Sequence, residues 1–209
     1  DAVRLTPFSY NLPAAEVVRK QRVERKLGNR SHHAFFNYAL EERRPDDVIE
    51  VAQVIELGPL SVPILAVNFF ISDTPMDSAT FRIGFRGFDW ERPTGPLVQR
   101  SIVRRVALMH GWLAMDLRKE HISLKGTIAL TLELLPEPGA GNRWMSVGIR
   151  LGGGRPAFDR RGTFEQWDRM PHRYSINVVA MVPKDEPDQK AEDPDPFQHA
   201  VDLRITARA

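Results

Sequence analysis

The sequence predicts an α+β protein built mostly from antiparallel β-sheet, a β-sandwich for which a jelly roll is one fitting arrangement. Three observations carry that expectation. From Val62 onward, apolar and polar residues alternate over short runs, as half-buried strands require. Helical spacing is confined to the N-terminal third and one internal stretch. Breaks rich in Gly and Pro separate the runs, and strands do not alternate regularly with helices as a doubly wound parallel sheet would demand.

The first 13 residues contain Pro7 and Pro13 and read as an extended lead-in. "PAAEVVRKQRVERKLG" is expected to be a helix starting at Pro13 and stopping at Gly28. Its apolar residues make no single face: Val17 and Val18 project opposite to Val23 and Leu27, with bases on every side. "SHHAFFNYALEERR" is expected to form a second helix, capped by Ser31 and burying Phe35, Phe36 and Leu40. Residues 1–45 thus form an N-terminal helical arm, and residues 46–209 a β-rich domain. "PDDVIEVAQVIEL" fits a helix or a strand equally.

Within the β-rich part, "VPILAVNFFISD" reads as a strand, and "TFRIGFRGF" alternates Phe81, Ile83 and Phe85 against Arg82 and Arg86. An amphipathic helix is expected over 96–118, begun by Pro96, with Val98, Ile102, Val106, Met109, Leu113 and Leu117 as its buried stripe. "HISLKGTIALTLELL", "WMSVGIRL", "RYSINVVAMV" and "AVDLRIT" supply further strands. The segments 136–142 and 152–163 read as loops, and 183–198 as an acidic flexible loop too polar to order itself.

The 209 residues suffice for a real core. Cysteine is absent, which excludes a disulfide framework, a thiolate zinc site and a cysteine nucleophile. With a formal net charge of only +2, any affinity for nucleic acid must come from a local patch. No apolar run is long enough to span a bilayer as a helix; the longest, 59–71, is interrupted by Ser61, Pro63 and Asn68. The chain opens at Asp1 without methionine, so a segment upstream is expected.

Catalytic motifs are wanting. "LGGGRP" lacks the Lys-Ser/Thr of a phosphate loop, "PDD" at 45–47 lacks a downstream Glu-x-Lys, and no Gly-x-Ser-x-Gly occurs. The six histidines, among them the neighbours His32 and His33, show no metal-ligand spacing, so neither metal nor cofactor is expected. Asp73, Asp77, Asp89 and Glu91 are the residues for a calcium-type site, or else simple turn residues. "NRS" at 29–31 is formally a glycosylation sequon.

What remains is basic. Arginine outnumbers lysine 23 to six, and its planar fork suits phosphate, carboxylate and subunit contacts. Arg19, Lys20, Arg22, Arg25, Lys26 and Arg30 in the arm, with Arg155, Arg160 and Arg161 in the glycine loop, are the candidate nucleic-acid-binding residues. A solvated or subunit-contacting helix accounts for the same charges.

"HISLKGTIALTLELL" resembles a strand of the vesiculovirus matrix proteins, which carries a Lys-Gly-Thr-Ile-x-Leu-Thr run, and "QWDRM" at 166–170 is similar to the Trp-Asp segment before their last hairpin. The Pro-Pro-x-Tyr motif of that family is missing, and arginine helices replace its lysine-rich N-terminus. The resemblance implies a virion coat or matrix protein and transfers no functional residue.

The expectation is therefore a non-enzymatic structural subunit that self-associates or binds neighbouring subunits, with RNA held by the basic arm. It would reside in a virion if viral, and otherwise inside a cell. The alternatives are an accessory subunit of a mitochondrial or ribosomal particle, and a β-sandwich hydrolase or carbohydrate-binding module with an acidic site.

Overall fold

Alternation of side chains prevails over helical spacing wherever the two patterns compete. The computed structural model describes residues 21–41, 49–137, 143–162 and 166–184. Among them the chain forms two antiparallel sheets and a single 3₁₀ turn at Arg118–Glu120. In chain order the strands are β1 (Arg22–Gly28), β2 (Asn37–Glu41), β3 (Ile49–Glu56), β4 (Val62–Asp73), β5 (Ser78–Phe88), β6 (Pro93–Pro96), β7 (Ile102–Ala107) and β8 (Gly111–Asp116). They continue as β9 (Ile122–Leu124), β10 (Thr127–Leu134), β11 (Trp144–Leu151), β12 (Ala157–Arg161), β13 (Asp168–Met170), β14 (His172–Tyr174) and β15 (Ile176–Pro183).

An eight-stranded sheet runs β1-β15-β4-β11-β14, with β8 and β9 on β4 and β2 on β11. A seven-stranded sheet runs β13-β12-β3-β10-β5-β6, with β7 on β5. Their facing sides share one core. From the eight-stranded sheet come Val67, Phe69, Ile71, Met145, Val147 and Val178; the other contributes Val51, Ile55, Phe81, Ile83, Phe85, Leu130 and Leu132. Phe69 and Phe81 meet edge-on across it, ring centroids 5.2 Å apart. Each such buried side chain contributes about 1.5–3 kcal/mol. The architecture is a β-sandwich.

The predicted helices do not survive where the structure describes them. Residues 22–28 of the expected first helix are β1, hydrogen-bonded to β15 from Arg22↔Pro183 to Gly28↔Asn177. Val23 and Leu27 pack on the core and Arg22, Glu24 and Lys26 face out, which explains why no helical face could be drawn. Residues 13–20 lie outside the described set. In the second expected helix, residues 37–41 are β2, with Tyr38 and Leu40 turned inward, while Phe35 and Phe36 are exposed and not buried. The described part of the expected arm thus belongs to the sheet.

The expected helix over 96–118 is the strand β7, a turn and the strand β8. Ile102 and Val106, four apart, satisfy both periods, but Leu113, Met115 and Leu117 repeat strictly every two residues toward the core. Gly111, the first residue of β8, sits at φ +117°, a conformation foreign to a helix.

Two further boundaries differ. "HISLKGTIALTLELL" is not one strand: Gly126, at φ +73°, lets the chain leave the eight-stranded sheet after β9 and enter the seven-stranded one as β10. The segment 152–163, expected to be a loop, contains β12, paired with β3. The alternation of Phe81, Ile83 and Phe85 against Arg82 and Arg86 is as expected, and residues 49–56 resolve to strand. The expected last strand at 200–206 and most of the acidic loop, from 185 on, lie outside the described residues.

Candidate functional site

The nine basic candidates are not gathered in one place. Arg19 and Lys20 are outside the described residues. Arg22 and Lys26 are exposed on the outer side of β1, Arg25 alternates to the other side, and Arg30 is exposed just beyond the strand. Arg160 and Arg161 belong to β12 of the other sheet, and Arg155 to the bend just before it. Arg155 donates to Glu56 at 2.8 Å and Arg160 to Glu50 at 2.7 Å, while Arg161 points to the inner side of β12 beside Tyr38.

These pairs are part of a charged layer on the outer face of the seven-stranded sheet. Register alone aligns Arg160, Glu50, Glu133 and Arg82 across four neighbouring strands. Arg82 donates to both oxygens of Glu133, at 2.8 and 3.0 Å, and Arg86 approaches Glu50 at 3.5 Å. The Glu50 and Glu133 side chains are only 4% and 8% exposed, so the arginines cover them. Burial raises the Glu133 pKa, the Arg82 charge opposing and the Glu50 charge adding to the rise.

Beside this row the floor is small, made of Ala52, Val54 and Ala129, and it accommodates Phe88, Phe158 and Trp167. The Arg160 guanidinium lies 4.6 Å from the Trp167 ring centroid and Arg86 5.8 Å from it. At the tip of the β5–β6 turn, Trp90 lies under Arg155, 5.5 Å from its ring.

The outer face of the eight-stranded sheet has a different chemistry. The His32 ring stacks on Phe70 at 3.7 Å, and His110 and Trp112 meet the same Phe70 edge-on at 5.5 and 5.6 Å. His33 lies 4.6 Å from Phe36 and 6.0 Å from Phe35. Burial lowers the His32 pKa, and repulsion from His110 and His33 lowers it further. Gly148 makes the stack feasible, since a Cβ there would stand 2.8 Å from a Phe70 ring carbon and 3.0 Å from the His32 Cβ. Phe35 (79% exposed), Phe36 and Trp112 (39%) leave this side apolar.

Between the sheets lies a buried polar knot. The Tyr38 hydroxyl donates to Asp159, and the rings of Tyr38, His172 and Tyr174 pack within 5.0–5.5 Å of one another. Burial, then the bond to Asp159, pushes Tyr38 up to about 12; burial also raises Tyr174 and lowers His172, against the pull of Asp159. Gln53 accepts from the Tyr174 amide at 2.9 Å and donates to the Arg155 carbonyl at 3.2 Å, tying the sheets together. Tyr174 and His172 are buried, so these groups join the two sheets from within.

The acidic candidates separate. Asp73 and Asp77 precede β5, and Asp89 and Glu91 follow its end, with the 11 residues of the strand, about 35 Å at strand rise, between them. Asp89 accepts from the amides of Arg92 and Glu91 at 2.9 and 3.0 Å, bonds that lower its pKa and make it a turn residue. No three His, Asp or Glu among the described residues are arranged to hold a metal ion. The sequence singled out neither the Phe70 stack nor the Glu50 row. Alternation within β3 and β10 was the available sign of the latter, since it places two glutamates on one face.

No family model and no curated protein matches the chain. Among solved structures it is similar to the clostridial cysteine protease Cwp84 after propeptide cleavage, with a TM-score of 0.53 and 9% identity over 76% of this chain and 40% of that one. It is also similar to the cysteine protease and lectin-like domains of Cwp84, a surface layer associated protein of Clostridium difficile (TM-score 0.49, 10% identity, 69% of this chain and 33% of that one). A third similarity is to infectious bursal disease virus Gt strain (TM-score 0.33, 13% identity, 100% of this chain and 55% of that one). The chain thus spans about a third to two fifths of the clostridial chains it matches. The first of these likenesses establishes a shared β-rich fold and nothing more.

Proposed function

We propose that this chain is a structural subunit of a larger assembly, a coat- or shell-type building block that acts by contact rather than by catalysis. The observation that carries the reading is the apolar side of the eight-stranded sheet. Phe35, Phe36 and Trp112 are exposed there, beside the ring cluster formed by His32, His33, Phe70 and His110. Water-exposed aromatic surface of this kind is stabilised when a second surface covers it. The partner taken here is another copy of the chain. RNA is left out of the reading, because Arg155 and Arg160 already share their charge with Glu56 and Glu50.

Sedimentation velocity over a hundredfold concentration range tests it. The 23.8 kDa chain is expected to associate, and the double variant Phe35→Ser/Phe36→Ser and the variant Trp112→Ala to remain monomeric with an unchanged melting temperature. A wild-type chain that stays monomeric throughout overturns the proposal.

A further inference from the structure

The tip of the β5–β6 turn carries a feature that self-association through the opposite sheet leaves unused. Trp90 is held at φ +77°, in the left-handed region that bulky residues avoid, and it is 70% exposed. The strain is maintained by the turn around it, in which the Asp89 carboxylate accepts from the Glu91 and Arg92 amides. The result is a large flat ring displayed to solvent. Its neighbours are fixed. Arg155 lies over the ring and is anchored by Glu56, which also accepts from the Thr127 hydroxyl at 2.6 Å. Phe88 and Phe158 continue the aromatic surface inward, with centroid spacings of 6.1 and 6.0 Å, toward Trp167.

From this arrangement we infer a saccharide-binding site, with Trp90 as the stacking platform and Arg155 and Glu56 as its polar rim. A pyranose presents an apolar C–H face that packs on an indole ring, and hydroxyls that both donate and accept. Arg155 supplies only donors and Glu56 only acceptors, so the pair matches both roles of a sugar hydroxyl. The charges decide against a phosphate-bearing ligand. Arg155 and Arg82 are each paired with a glutamate and Arg160 and Arg86 share Glu50, so four arginines stand against three glutamates and the face carries little free positive charge for a polyanion. A neutral polyhydroxyl ligand loses nothing by that pairing. The site lies on the seven-stranded sheet, so it stands or falls independently of the contact function proposed above.

Affinity electrophoresis of the whole chain tests the inference, using native gels that contain hydroxyethylcellulose, xylan, laminarin or galactomannan, with heparin as the polyanion control. Retardation by at least one neutral polysaccharide is expected. Trp90→Gly, which suits the left-handed backbone and so keeps the fold, should weaken it at least tenfold, whereas Lys119→Ala, in the exposed 3₁₀ turn, should leave it unchanged. Unaltered mobility in all four neutral gels overturns the inference. So does equal retardation of Trp90→Gly, or retardation by heparin alone.

Discussion

The two outer faces of this sandwich solve the same problem in opposite ways. On the seven-stranded sheet, Glu50 and Glu133 are buried charges, and Arg82, Arg86 and Arg160 neutralise them within the molecule, with Trp167 laid across the gap. On the eight-stranded sheet, Trp112, Phe35 and Phe36 surround three histidines and remain open to water. The buried charges of the first face are satisfied within the molecule; the second face gains from being covered. Polar residues on a sheet surface therefore say little about binding until their partners are known, and arginine-rich sequence is poor grounds for a phosphate site when glutamates lie in the adjoining strands.

Breaking the closed face should cost most. Glu50→Ala leaves the Arg160 and Arg86 guanidinium groups without their shared carboxylate, and a loss of about 3 kcal/mol in urea unfolding is expected. A loss below about 1 kcal/mol would show the row to be weakly coupled. Next comes the base of the open face. Gly148→Val drives a side chain into the Phe70 ring and should destabilise by about 2 kcal/mol, seen as a lower melting temperature and a changed near-UV aromatic signal.

Acid should expose the histidines. A lowered folded pKa means that the unfolded chain takes up its proton first, so stability present above the ordinary histidine value of 6.5 is lost as pH falls below it. Glu133 acts with the opposite sign: its raised pKa makes the folded chain protonate first, adding stability as pH falls toward the ordinary carboxylate range. Thermal melts from pH 7.5 to 5.5 should therefore fall for the wild type, and less steeply for His172→Gln. The smallest effect belongs to the rim of the open face, where Phe35→Ser should alter stability by less than about 0.5 kcal/mol while reducing association.

Much of the sheet was legible in the sequence, because burial of one strand face imposes a two-residue period that Phe81, Ile83 and Phe85 or Met145, Val147 and Ile149 display openly. Short edge strands were not. In β1 only Val23 and Leu27 are core residues, and the basic residues between them read as a solvated helix. In β7 and β8 a four-residue spacing satisfied both periods, and only Gly111 marked the reversal. The contact surface was still less legible. Phe70 reads as core, and its pairing with His32 and His110 arises from connecting segments distant in sequence. The basic residues were visible as residue types, but the glutamates that neutralise Arg155 and Arg160 lie about a hundred positions away.

Hydrogen–deuterium exchange at rising protein concentration bears most directly on the contrast between the faces. The prediction is that amides of 33–36 and 109–112 become protected as concentration increases, while those of 88–92 and 157–161 do not change. Protection that grows on the seven-stranded face instead, or on neither, would contradict it.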